Sequence, residues 1–203
     1  MADQPPAGIV TPRRRQKIAE AAASRQYGML ILEDVHDPHN AEAVFRTCEA
    51  LAIQHVGLIF DTQEPFDPYR YGKATSSSAN KWLDFHIYRS TGEALAAVRA
   101  QGYEIVGTVI SERAESIYEA NLTSPRIALL LGNEHRGLSR QAIEMADRHI
   151  TIPMSGMVQS LNLSVTAAIC LYEISRQRQA AGIERYLLST EERDRLARAF
   201  LHR

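Results

Sequence analysis

"MLILEDVHDPHNAEAVFRTCEAL", Met29 to Leu51, changes pattern partway through. Met29 to Val35 form a short apolar run of strand type, while Val44, Cys48, Leu51 and Ala52 recur at helical spacing. A strand is therefore followed by an amphipathic helix, which Asn40 opens. Between them lies a polar knot of His36, Asp37, Pro38, His39 and Asn40. Arg46 stands in the second helical turn. An ion pair with Glu42, four residues earlier, would give it a structural use worth about 0.3–0.5 kcal/mol.

The same alternation runs along the chain. "HVGLIF" (His55–Phe60), "KWLDFHIY" with Leu83, Phe85 and Ile87 alternating, "YEIVGTVI", "RIALLLG" and "HITIPM" read as five further strands. Helices fall between and around them. One starts at the Thr11 cap with Pro12 and ends before Tyr27, one is capped by Ser90 or Thr91 and stops at Gly102, and one is capped by Ser139. A long helix spans Asn162 to Ala181 up to Gly182, and a last one opens with the capping box Ser189 to Glu192. "DTQEPFDPYRYGKATSSSAN" reads as a long polar loop. Strands alternating with helices predict an α/β fold with a mainly parallel six-stranded sheet and helices on both faces.

With 203 residues, 45% of them hydrophobic and 23% charged, the chain suits one main domain with short end extensions. There is no long apolar run and no signal-peptide pattern, so a cytoplasmic protein without a membrane partner is expected. Cys48 and Cys170 lie in apolar helical patterns and read as small buried hydrophobes. The net charge of -1 argues against binding nucleic acid through overall basicity. Its distribution is uneven, however. Residues 1–27 carry five basic and two acidic side chains, residues 176–203 seven and four, and the segment between them eleven and eighteen. Two basic ends around an acidic middle match either an electrostatic footprint on terminal helices or two solvated helix faces.

In a parallel sheet, ligands gather at the carboxyl ends of the strands. There the sequence offers "HDPHN", "GNEHRGLS" and "SGMVQSLNLS". None is a G-x-G-x-x-G or a P-loop, and neither a Ser-centred elbow nor a metal-spaced His/Cys set occurs, so no metal is expected. Gly132, Gly137 and Gly156 suggest either backbone brought close to a flat ligand or simple turns.

Three segments, "LEDVHDPHNAEAVFRTCEAL", "IALLLGNEHRGLS" and "ITIPMSGMVQSLNLSVTAAICLYE", resemble in order the three motifs of the SpoU branch of the SPOUT RNA methyltransferases. "HNAEAVFRTC", "IPMSGMVQSLNLSV" and "NKWL" are most similar to the tRNA guanosine 2′-O-methyltransferase (TrmH) type, although Ala41 and Glu42 depart from the commoner pattern. The resemblance implies transfer of a methyl group from S-adenosylmethionine to a ribose 2′-hydroxyl, at guanosine 18 of the tRNA D-loop, with ribosomal RNA or another tRNA position as the alternative. It also implies a homodimer and a C-terminal deep trefoil knot. Residues 28–175 would form the catalytic domain, flanked by basic helical extensions at 1–27 and 176–203.

Carried over by motif, Asn40 and Arg46 would be catalytic, with Glu134, Ser160 and Asn162 in support. Thr108, Leu131, Gly132, Ile152, Met154 and Leu161 would hold the cofactor, largely through backbone groups. Arg13, Arg14, Arg15, Lys17 and Lys81 would bind RNA. A guanidinium keeps its proton too firmly for a general base, so Arg46 is expected to clamp phosphate and ribose and to stabilise the developing alkoxide, with Asn40 fixing the helix start. Glu134 could instead cap its own turn, Asn162 its helix, and Trp82, beside Lys81 in "SSSANKWLD", could belong to the core rather than face RNA.

Overall fold

The computed structural model describes residues 10–70 and 79–203. The middle of the predicted polar loop, including Ser76 to Ser78 of "SSSANKWLD", and the first nine residues lie outside the described residues.

Helix α1 (Pro12–Ala23) starts at Thr11, whose hydroxyl accepts from Arg14 N, with Pro12 at the first helical position. It ends earlier than predicted because Arg25 and Gln26 turn into the sheet. Strand β1 (Gln26–Glu33) leads into α2 (Pro38–Ala50), and β2 (Ile53–Ile59) follows. A short 3-10 turn (Ala79–Trp82) precedes β3 (Asp84–Tyr88), α3 (Thr91–Ala100) and β4 (Glu104–Thr108). Then come β5 (Glu115–Ser116), β6 (Ile127–Leu131), α4 (Arg140–Met145), β7 (Arg148–Thr151), α5 (Leu163–Ala181) and α6 (Thr190–Phe200).

Among the described residues all strand pairs are parallel, in the order β3-β2-β1-β6-β4-β7-β5. Among the described residues the sheet has seven strands rather than the predicted six. The extra one, β5, is two residues long and exists only through its pairing with β7, so no period within it could reveal it. The caps at Ser90, Ser139, Asn162 and Ser189 stand where they were predicted.

Alternation along β1 divides the core. Leu30 and Leu32 pack on one face with Val44, Phe45 and Cys48 of α2 and Leu163, Ala167 and Cys170 of α5. Met29 and Ile31 face the other way, onto Leu95 and Val98 of α3 and Ala142 of α4. Burial pushes both Cys48 and Cys170 thiols up to about 12, which leaves them inert small hydrophobes. A satellite cluster joins Ile18 and Ala22 of α1 to Leu196 and Phe200 of α6, near the start of β1. Trp82 packs edge-on against Phe200 with ring centroids 5.3 Å apart, and so belongs to this cluster.

Two of the terminal arginines are structural. Arg178 is fully buried and donates to Tyr27 O at 2.5 Å and Ser124 O at 3.0 Å, tying α5 to the start of β1. Desolvation lowers its pKa to about 10. Arg25, also buried, pairs with Glu49 at 3.3 Å. Among the described residues, no helix is long and apolar enough to cross a membrane.

Candidate functional site

Because the strands run parallel, the loops after β1, β4, β6 and β7 emerge at one edge of the sheet. Three of these loops wall a cavity of about 450 Å³. Thr108 comes from the end of β4, Leu131, Gly132 and Glu134 from β6 and its loop, and Ile152, Met154, Ser160 and Leu161 from the segment after β7. All six residues expected around the cofactor therefore share one wall, although they lie up to 53 residues apart in sequence. Ile150 and Leu163 close its buried side.

The loop after β6 is held tightly. Asn133 and Gly137 exchange backbone hydrogen bonds at 3.0 and 2.8 Å, and Gly137 adopts φ +68°. A Cβ on Gly132 would lie 2.2 Å from the backbone of Gly137 and Leu138. Gly132 is thus required by the chain's approach to itself, not by a ligand alone, while Gly156 faces open space. This revises the common role suggested for the three glycines.

Beside the cavity, the β1 loop and the β6 loop meet at Glu134. Its carboxylate accepts from His36 N at 2.9 Å, Asp37 N at 3.3 Å and Asn40 Nδ2 at 3.0 Å. Burial alone would raise its pKa, but the bonds from His36 and Asn40 outweigh this and hold the group below the usual carboxylate value. Asn40 Oδ1 in turn accepts from Asn162 Nδ2 at 3.3 Å, and Asn162 Oδ1 caps α5 through Ser164 N at 2.8 Å. One chain of side-chain bonds thus joins all three motif loops. Glu134 ties down the loop that leads into α2 rather than capping the Gly137–Gln141 turn, where Glu33 and Ser139 accept instead.

Two expectations change at this point. Asn40 does not open α2: Asp37 is the N-cap, accepting from His39 N, and Pro38 takes the first helical position. Asp followed by Pro is itself a helix-start signal, and its presence frees the Asn40 amide for Glu134. Nor does Arg46 pair with Glu42. Glu42 is 1% exposed and lies 3.7 Å from His39 Nδ1, whereas Arg46 is exposed and makes no hydrogen bond or ion pair among the described residues. Asn40, Arg46 and Asn162 are not part of the cavity wall.

Sequence reasoning missed Asp34. At φ +51° it accepts from Asp61 N, Thr62 N and Gln63 N at 2.8, 2.9 and 3.1 Å, while its carbonyl accepts from Asn133 Nδ2 at 2.7 Å. Burial would raise this carboxyl too, but the bonds from Thr62, Gln63 and Asp61 hold it below its usual value. The place of an acidic residue just past a strand end was the available signal.

Arg13, Arg14, Arg15 and Lys17 are exposed on α1, and Lys81 is exposed next to Trp82, at the end of the molecule where α1 and α6 pack. That end lies at the start of β1, opposite the cavity. The eight residues of β1 put roughly 26 Å between them.

Residues 28–172 match the SpoU rRNA methylase family. The chain is 37% identical over 191 residues to the tRNA (guanosine(18)-2′-O)-methyltransferase of Escherichia coli, covering 92% of this chain and 81% of that protein. To the tRNA (guanosine(18)-2′-O)-methyltransferase of Thermus thermophilus it is 37% identical over 174 residues, covering 85% and 87%. The crystal structure of the Aquifex aeolicus TrmH/SpoU tRNA modifying enzyme superposes with a TM-score of 0.84 at 29% identity over 94% of this chain and 95% of that one. The SpoU methyltransferase AviRb of Streptomyces viridochromogenes, in complex with AdoMet, gives 0.66 at 26% identity over 77% and 59%.

Proposed function

The chain belongs to the SpoU rRNA methylase family, and from that premise we propose that it methylates the ribose 2′-hydroxyl of guanosine 18 in tRNA, with S-adenosylmethionine as donor. The observation that carries this reading is the cavity walled by the loops after β4, β6 and β7, with the Glu134, Asn40 and Asn162 chain beside it.

The wall fits such a cofactor. Leu131, Ile152, Met154 and Leu161 offer an apolar lining for a purine and for methylene groups, and the closed turn from Gly132 to Leu138 presents main chain where a Cβ would collide. Thr108, Leu131, Gly132, Ile152, Met154 and Leu161 would hold it. When bound, S-adenosylmethionine supplies a methyl group on a sulfonium, and the ribose oxygen that takes the methyl must release its proton.

The residues present have separable tasks. Glu134 fixes the start of α2 and orients Asn40, and Asn162 does the same from α5. Arg46, with its guanidinium unpaired among the described residues, is available to clamp phosphate and ribose and to stabilise the developing alkoxide. Ser160, exposed on the cavity wall, supports the substrate side. Arg13, Arg14, Arg15, Lys17 and Lys81 contact the RNA away from the reacting ribose, and a folded tRNA is long enough to reach both edges of the sheet.

Val165, Ile169 and Tyr172 are exposed at i, i+4 and i+7 on α5, beside Tyr118, which is 80% exposed. This stripe is the seat of the homodimer in our reading. Sedimentation of an Ile169→Glu, Tyr172→Glu double variant as a monomer would bear it out. The course of the chain through the β6 and β7 loops into α5 is read as the deep trefoil knot, in a cytoplasmic enzyme.

A labelled-methyl transfer assay on unmodified tRNA transcripts, followed by mapping of the label, tests the function. Label on the ribose of guanosine 18 is expected. Label on ribosomal RNA instead would keep the chemistry and replace the substrate, and no transfer to any RNA would end the reading.

A further inference from the structure

Arg136 lines the cavity, 57% of its side chain is exposed, and no motif assigns it a task. Its backbone is rigidly placed. Asn133 Oδ1 accepts from His135 N at 2.9 Å and from Arg136 N at 3.2 Å, inside the turn that Asn133 and Gly137 close. Its guanidinium is held by one nitrogen only. Nη2 donates to Thr62 Oγ1 at 2.9 Å, Thr62 Oγ1 donates to Asp34 Oδ2 at 2.7 Å, and Nη2 lies 3.6 Å from that same oxygen.

The anchor is firm because Asp34 is itself fixed. Its side chain is 8% exposed, and its other oxygen accepts three backbone N–H groups. Nε and Nη1 of Arg136 make no hydrogen bond among the described residues, and Nη2, with one N–H spent on Thr62, keeps its second, so one two-donor edge of the guanidinium remains open. An exposed ion pair stabilises a fold by at most about 1 kcal/mol, which is little return for so ordered a cation. A tethered guanidinium with a free edge is instead suited to bidentate recognition of a phosphate. Its position selects the source of that phosphate. Thr62 is exposed and outside the cavity wall, so Arg136 leans toward the outer lip, away from buried Ile150 and Leu163. The neighbouring anion Glu134 already accepts three donors and does not compete for it.

We propose that Arg136 binds a backbone phosphate of the RNA strand carrying the methylated nucleotide, with Thr62 and Asp34 as its positioning residues; this rests on the RNA 2′-O-methyltransferase reading above. The test compares wild type, Arg136→Gln, Arg136→Lys and Thr62→Val in binding to an unmodified tRNA transcript across a salt series. Equilibrium dialysis with S-adenosylmethionine and thermal melting accompany it. Arg136→Gln should weaken RNA binding about tenfold and lower the salt slope by about one, with cofactor affinity and melting unchanged. Arg136→Lys should recover the slope and part of the affinity, and Thr62→Val should weaken binding without changing the slope. Unchanged RNA affinity in Arg136→Gln overturns the proposal. So does a matching loss of cofactor affinity, which would put the cofactor carboxylate on this group, and so does equal loss in the Lys and Gln variants with lowered melting, which would make the residue structural. Absence of methyl transfer by wild type would end the parent reading, while the binding comparison would still decide the role of Arg136.

Discussion

Asn40 Nδ2 donates to Glu134 Oε1 at 3.0 Å, so the first turn of α2 is oriented by a residue 94 positions away. The same carboxylate takes two backbone N–H groups, from His36 and Asp37. Glu134→Ala removes these bonds, but water can reach the exposed His36 and Asp37 amides, so the cost in urea unfolding should be about 0.5–1.5 kcal/mol. Asn40→Ala keeps the two backbone bonds and should cost less stability while still lowering the single-turnover rate. Since folding depresses the Glu134 pKa, its contribution is present above the ordinary carboxylate value and lost as pH falls through the lowered one. Unfolding midpoints of wild type and Glu134→Gln should therefore converge in acid.

For Arg46, Lys is the informative replacement. If the residue clamps phosphate and ribose, Arg46→Lys should lower the single-turnover rate at least tenfold, with no new titration in its pH profile. Activity that returned as a simple titration of the lysine would move the role from clamp to base.

Gly132→Ala places a Cβ 2.2 Å from backbone atoms that no rotamer change can move. The turn must open, and a loss of roughly 1–3 kcal/mol together with weakened S-adenosylmethionine binding is expected by calorimetry. Gly156→Ala, facing open space, should leave both unchanged within error.

The RNA footprint on α1 calls for charge removal rather than truncation. Ile18 and Ala22 are buried against α6, and Arg25 is 1% exposed, so deleting residues 1–27 would break the fold. Replacing Arg13, Arg14, Arg15 and Lys17 by Gln should instead weaken tRNA binding and flatten its salt dependence, leaving the affinity for S-adenosylmethionine as it was.

His55 Nδ1 and His86 Nε2 lie 3.2 Å apart on adjacent strands. Burial lowers both from the ordinary imidazole value of 6.5, and for His55 the neighbouring His86 adds to it. A depressed value means the unfolded chain binds protons first. Stability should be complete above pH 6.5 and fall as the medium is acidified below it. His86→Gln should flatten that slope in a melting series from pH 7.5 to about pH 5.

Apart from β5, the succession of strands and helices, the caps at Thr11, Ser90, Ser139, Asn162 and Ser189, and the loops around the cavity were legible in the sequence, because each depends on spacing within a few residues. The order β3-β2-β1-β6-β4-β7-β5 was not, since register is set by partners far away in sequence, and the two-residue β5 has no pattern of its own. The same division runs through the site. Spacing marked Asn40 and Asn162 as polar groups at helix starts, and the motif resemblance alone singled out Glu134. Only the packed sheet brought them into one chain of hydrogen bonds, gave Asp37 rather than Asn40 the cap, and made Asp34 the anchor of a loop. Chemistry is written residue by residue, but distance is decided by the core, where alternate faces of β1 must both be covered before any of these loops can meet.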